Sequence, residues 1–423
     1  MNEMHRRDFL KASGAGILST GLPIPLVHSG TATPRSGKVI VSIFLRGGQD
    51  ALNTIVPHGD EDYYKIRPTI AIPEDKVVKL DDTFGLHPAL APLKAYWDKK
   101  LFAPVICAGS NHTTRSHFDA QDFMEYAAPG LRTTREGWLN RYLTVTAGPE
   151  AQEPPLRALA MQSLLPRALR GNYPVLAVPD LGRGRGGDIL DEFHKLYGED
   201  GMGGMEKPVM TRRKGDELSQ QDAVKQAGRV TIRALRRYQK VVTEPTRRRR
   251  GKGAYPSGRI GDKLAKIAQV IKSGEPMEVA SIGYNGWDHH TNEGAMDGSI
   301  NRMLEHLAQS LDAFMKDLGQ HADRTLVLTM TEFGRTCREN GNRGTDHGHG
   351  STMLALGGSV NGGKVFGDWP GLADKSLYQG RDLRVTTDFR NVMADALRGH
   401  MGADLPRDFF PNYALPKPMG LFG

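Results

Sequence analysis

Six short, nearly continuous apolar runs limit the fold of this chain more than any other feature. They lie at 38–45, 101–110 ("LFAPVICAGS"), 175–180 ("VLAVPD"), 277–288 ("MEVASIGYNGWD"), 325–334 ("TLVLTMTEFG") and 352–358 ("TMLALGG"). Apolar runs of strand length without polar alternation predict strands covered on both faces, as in a parallel sheet. Between them lie helical patterns. In "SINRMLEHLAQSLDAFMKDLGQ" the residues Met303, Leu304, Leu307, Leu311, Phe314, Met315 and Leu318 recur at three- and four-residue steps, an amphipathic helix leading into the run at 325. "TDFRNVMADALRGHMG" predicts another, opened by Thr387 or Asp388 and closed by glycine. The predicted fold class is α/β: a mostly parallel central sheet flanked by helices, with ligands outside the carboxyl ends of the strands.

A chain of 423 residues is ample for one such domain. The stretch 181–260 differs in character, with "GRGRGG", "GMGGMEKP" and helical segments rich in Gln, Arg and Lys, and reads as a partly helical insertion or cap. The net charge of +8 is concentrated in "TRRK" (211–214) and "TRRRRGKG" (246–253). These runs lack interleaved aromatics and any reader motif, so they predict solvated loops and no nucleic-acid partner. Cys107 and Cys337 either pair or stay inert; spacing does not decide.

The first 32 residues carry Arg6-Arg7, then Phe9-Leu10-Lys11, then a mildly apolar Gly/Ala-rich stretch and small residues. That order predicts a cleavable export signal, cut near Ala32, and its paired arginines resemble a bacterial twin-arginine signal. The expectation is a periplasmic or secreted protein whose residues 33–423 form the mature domain, with the twin-arginine translocation machinery as a partner. No apolar run in the body of the chain is long enough to span a bilayer, so no stable membrane anchor is expected.

Polar clusters collect at the predicted strand ends: "RGGQD" with Asp50, "SNHTTRSHFDAQD" with Arg115 and Ser116, "NGWDHHTNE" with Asp288, His289 and His290, and "TEFGRT" with Glu332. "GTDHGHG", with Asp346, His347 and His349, precedes the last run. Asp50, Asp288, Glu332 and Asp346 with the four histidines form an oxygen–nitrogen set suited to a divalent metal, whether zinc, manganese, magnesium or calcium. Each also has a plain structural role open to it. Asp50 can satisfy a Gly-Gly turn, Asp288 can cap a helix through "HHTNEGAMD", and Glu332 can pair with Arg335. Ser116 reads both as a helix N-cap and as a hydroxyl nucleophile at a positive helix end beside Arg115.

"RRDFL", "FLRGGQDALNTIVP", "SHFDAQDFME", "GWDHH", "TEFGRT" and "TDHGHGSTMLALGG" together resemble the bacterial twin-arginine-exported family called domain of unknown function 1501. Its layout is in turn similar to the alkaline phosphatase–sulfatase superfamily. That resemblance implies an alkaline-phosphatase-like fold and hydrolysis of an anionic phosphate or sulfate ester. It implies Ser116 as nucleophile, Arg115 as an anion-stabilising group, Asp50 and Glu332 at one metal position, and Asp288, His290 and His349 at another. His347 is then a ligand alternative or a general acid. The chain departs from the superfamily in three places: Phe333 follows Glu332 where histidine is usual, Asn292 stands where histidine is common, and the Cys/Ser-x-Pro-x-Arg sulfatase signature is absent. The alternative is a non-catalytic exported binding or assembly protein with a degenerate metal site.

Overall fold

The computed structural model describes residues 37–147, 156–178, 231, 233–242, 254–258 and 260–423. The export signal expected at 1–32 and most of the insertion expected at 181–260 lie outside the described residues. The apolar runs form strands β1 (Val39–Arg46), β2 (Phe102–Gly109), β4 (Leu176–Ala177), β5 (Val279–Asn285), β6 (Thr325–Met330) and β7 (Ser351–Gly357). Two short strands without a comparable apolar run join them, β3 (Ala158–Ala160) and β8 (Thr387–Asp388). One sheet results, in the order β8-β2-β7-β6-β1-β5-β3-β4.

β1 pairs in parallel with both β5 and β6, β5 with β3, β3 with β4, and β2 with β8. Only β7 runs antiparallel, between β2 and β6. The sheet is therefore mostly parallel with helices on its faces. The reversal of β7 matters for the site: its amino end, Ser351, lies opposite Ala108 near the end of β2, so the loop leading into it reaches the carboxyl edge of the parallel strands.

The helices used below are α1 (Ala51–Thr54), α2 (His117–Tyr126), α3 (Gly261–Lys272), α4 (Ser299–Leu318) and α5 (Phe389–Asp395). α4 buries Leu304, Leu307, Leu311 and Phe314, each essentially inaccessible, and packs beside α3 over one sheet face. Burying one such side chain is worth about 1.5–3 kcal/mol. α5 is capped by Asp388, whose carboxylate accepts from the Arg390 N–H, and packs on the opposite face with Val392, Met393 and Leu397. No helix forms through "HHTNEGAMD", so Asp288 caps nothing there. Cys107 and Cys337 are both buried and free. No helix among the described residues is long and apolar enough to cross a membrane.

Candidate metal centre

Four side chains converge at the carboxyl edge of the sheet: His117, the first residue of α2; Asp288 and His290, just beyond β5; and His347, in the loop before β7. His117, Asp288 and His347 each offer a ligand atom, all within 4.8 Å of one another. His290 Nε2 lies 3.0 Å from Asp288 Oδ1 and 3.0 Å from His347 Nε2.

Each histidine is fixed through its far nitrogen. His117 Nδ1 donates to Glu332 Oε1 at 2.8 Å, His290 Nδ1 to Asp346 Oδ1 at 3.1 Å, and His347 Nδ1 to the Arg115 carbonyl at 2.9 Å. A neutral imidazole carries one proton, so donation from Nδ1 leaves Nε2 as a lone pair. Three lone pairs then point at one another and at Asp288. The His290 and His347 Nε2 atoms face each other at 3.0 Å, and each lies beside Asp288 Oδ1, at 3.0 and 3.1 Å. His117 Nε2 is buried without a hydrogen-bond partner, 3.4 Å from Asp288 Oδ2. Lone pairs so placed repel unless a cation lies among them. Anchoring the second imidazole nitrogen on a carboxylate or carbonyl is also how metal-binding histidines are oriented. Three nitrogens and a carboxylate oxygen fit a borderline ion such as zinc.

Glu332, at the end of β6, is more than an anchor for His117. Its Oε1 also accepts from the Gly47 N–H at 2.9 Å and Gln121 Nε2 at 2.8 Å, and its Oε2 from Thr331 Oγ1 at 3.0 Å. Burial works to raise its carboxyl, but the hydrogen bonds from His117 and Gln121 outweigh this and hold it below the ordinary value. In return the Glu332 hydrogen bond raises the His117 imidazole. Burial lowers His347.

Arg335 supplies the fixed positive charge. Its guanidinium is fully buried and bonds Asp288 Oδ1 at 2.7 Å, the Gly47 carbonyl at 3.3 Å and Thr345 Oγ1 at 3.1 Å. Partial burial pushes the Asp288 carboxyl up, yet Arg335, with His290 and His347, brings it down to about 2. Gly47 makes this contact possible: at φ +127° a β-carbon there would run into the backbone of Trp287 and Asp288.

The other residues singled out from the sequence lie differently. Both oxygens of Asp50 are taken by Arg67, Oδ2 at 2.5 Å and Oδ1 at 3.0 Å, in a pair that solvent does not reach. Asp50 also caps α1 by accepting from the Leu52 N–H at 3.2 Å. The His349 ring stacks on Tyr378 at 4.2 Å between centroids and is not among the ligand atoms that lie within 4.8 Å of one another. Ser116 occupies the N-cap position of α2, but its hydroxyl makes no capping bond and is exposed. Glu332 does not pair with Arg335, which takes Asp288 instead.

His117 and Arg335 were not singled out as site residues. His117 directly follows Ser116, and a single histidine at a helix start carries no ligand spacing that marks it in the sequence. "TEFGRT" offered Arg335 only as a partner for Glu332.

The fold and the cluster define an α/β protein with a candidate metal centre at the carboxyl edge of its sheet. Residues 37–407 match the family described as "Protein of unknown function (DUF1501)", and the chain belongs to that family. No match to a curated protein was found. Among solved structures, the chain is similar to the PsFucS1 sulfatase from Pseudoalteromonas sp. at 12% identity, covering 91% of this chain and 72% of that one, with a TM-score of 0.38. It is similar to a protein in the alkaline phosphatase superfamily from Vibrio parahaemolyticus at 10% identity, 96% and 81% coverage and a TM-score of 0.38. A third similarity is to the lipoteichoic acid synthase LtaP from Listeria monocytogenes, at 8% identity, 91% and 76% coverage and a TM-score of 0.36.

Proposed function

We propose that this chain is an exported, metal-dependent hydrolase of a phosphate or sulfate ester, with Ser116 as its nucleophile. One observation carries the metal dependence: three imidazole nitrogens, each anchored through its other ring nitrogen, gather around the Asp288 carboxylate as a set of donor atoms that suits a divalent ion. His117, Asp288, His290 and His347 would hold the ion, with Glu332 and Asp346 orienting two of the imidazoles. A bound divalent ion supplies Lewis-acid polarisation of an ester oxygen and lowers the pKa of a nearby hydroxyl. Export by the twin-arginine route is supported by the paired arginines of the sequence.

The chain's own residues then have separable tasks. Ser116 lies at the amino end of the ten-residue helix α2, where free N–H groups and the dipole favour an anionic substrate. Its exposed hydroxyl neighbours His117 in sequence. Attack by Ser116 Oγ forms a bond to phosphorus or sulfur as the ester alcohol leaves, and water later cleaves the serine adduct. The Arg115 guanidinium adds positive charge where the transferred group gains negative charge.

The test is turnover of aryl phosphate and aryl sulfate esters by metal-loaded protein. Ser116→Ala should lower kcat by at least about a hundredfold with the metal still bound. Undiminished turnover removes Ser116 from the reaction. Metal binding without turnover of either ester class favours a binding or assembly protein.

A further inference from the structure

Beside the histidine cluster lies an arrangement of charge that the metal centre does not use. Asp382 is completely buried, and its carboxylate accepts from two arginines, Arg115 Nη2 on Oδ2 at 2.5 Å and Arg381 Nη1 on Oδ1 at 3.1 Å. One guanidinium is enough to compensate a buried carboxylate; the second leaves a surplus positive charge. Both arginines reach solvent, at 35% and 42% exposure. The splint between them is rigid, because Asp382 exchanges backbone hydrogen bonds with Tyr378 at 2.8 and 3.0 Å.

The pair borders the cluster at two of its histidines. The Arg115 carbonyl is the anchor of His347, and Arg115 is the residue before Ser116. Asp382 also pairs through the backbone with Thr336, whose N–H donates to the carbonyl of Asp346, the anchor of His290, at 2.9 Å. Donor capacity also remains. Among the described residues the Arg381 guanidinium engages only Asp382, through Nη1. A guanidinium with free N–H groups and a fixed plane recognises sulfate, phosphate or carboxylate through paired hydrogen bonds.

We infer that Arg381, held on Asp382 beside Arg115, forms a second anion subsite beside the metal centre, selecting substrates that carry a second negative group besides the ester. The inference rests on the ester-hydrolase reading for the first group. It deepens that reading by assigning the substrate class, polyanionic esters, with Arg381 as the specificity-determining residue.

Calorimetric titration of zinc-loaded protein with methylphosphonate, carrying one anionic group, and 1,3-propanediphosphonate, carrying two, tests it without any turnover. Wild-type protein should bind the diphosphonate at least about tenfold more tightly, as one added charge-assisted contact allows. Arg381→Gln should reduce that ratio to within about twofold while leaving methylphosphonate affinity in place, and Arg381→Lys should restore part of it. An unchanged ratio in Arg381→Gln, with methylphosphonate still bound, overturns the subsite alone and makes the pair a structural splint for Asp382. Diphosphonate binding that depends on Arg381, without methylphosphonate binding, keeps the subsite and removes the ester reading. Failure of both ligands to bind overturns both.

Discussion

Replacing Arg67 by methionine separates structural charge from metal-binding charge. Arg67 and Asp50 are 0% and 2% exposed, and the guanidinium also donates to Asn53 Oδ1 at 2.8 Å, the Cys337 carbonyl at 2.8 Å and the Thr336 carbonyl at 3.1 Å. Arg67→Met therefore leaves a buried carboxylate uncompensated and the Cys337 and Thr336 carbonyls without this donor, while Asn53 Oδ1 keeps its bond from the Tyr63 hydroxyl. Breaking one side of such a buried pair costs about 3–5 kcal/mol. Asp50→Asn combined with Arg67→Met removes the stranded charge, so the double variant should recover about 2 kcal/mol or more relative to Arg67→Met alone. Urea denaturation of the single and double variants, at matched metal content, measures both quantities. Asp50→Asn should also keep the metal content of the wild type, because Arg67 already occupies both oxygens. A cost below about 1 kcal/mol for Arg67→Met, or loss of metal in Asp50→Asn, would refute this reasoning and return Asp50 to the ligand set.

Two further outcomes follow from buried groups away from the cluster's facing nitrogens. Glu293 is fully buried beside Asp50, and burial raises its carboxyl well above the ordinary value, favouring the neutral form. Glu293→Gln should accordingly cost less than about 1 kcal/mol while keeping an oxygen that can accept from Thr345, 2.7 Å away in the wild type. It should also remove a decline in stability as pH rises above about 4.5, because there the unfolded carboxyl releases a proton that the folded one retains. A variant as unstable as Glu293→Ala would show the carboxyl to be ionised. His400, held between the Val39 carbonyl at 3.0 Å and Ser359 Oγ at 3.2 Å, is lowered by burial to about 4. A histidine with a depressed folded pKa stays neutral while its unfolded form charges, so stability should fall as pH drops from about 6.5 to about 4. That shift corresponds to roughly 3 kcal/mol. A shallower fall for His400→Asn than for the wild type over that window supports the assignment, because buried His289 keeps a slope of its own, and an unchanged slope rejects it.

The strands were legible because burial on both faces of a sheet demands unbroken apolar runs, and β1, β2, β5 and β6 begin and end within four residues of theirs. The direction of β7 was not legible, since hydrophobicity carries no sign along a strand. Yet that reversal, seen in its antiparallel pairing, brings "GTDHGHG" to the edge where β1, β5 and β6 end. Within the site, Asp288, His290 and His347 stood out because acid and imidazole cluster locally in the sequence. The pairings Asp50–Arg67 and Asp288–Arg335 span 17 and 47 positions and leave no local pattern. Without them, the carboxylates at the strand ends look equally free to bind metal. Only the structure shows one satisfied by a guanidinium, and another sharing an oxygen with Arg335 while still facing three histidines.

The central claim is that His117, Asp288, His290 and His347 hold a divalent ion. Its most direct test is the zinc content of purified mature protein, measured by mass spectrometry and compared with that of His347→Ala, with melting temperature followed as zinc is added. The account predicts about one ion per wild-type chain, loss of most of it in His347→Ala, and a rise in the wild-type melting temperature on loading, since a ligand bound only by the folded state stabilises it. Less than about 0.2 ion per chain, with no change in melting temperature on adding zinc, manganese, magnesium or calcium, would contradict it.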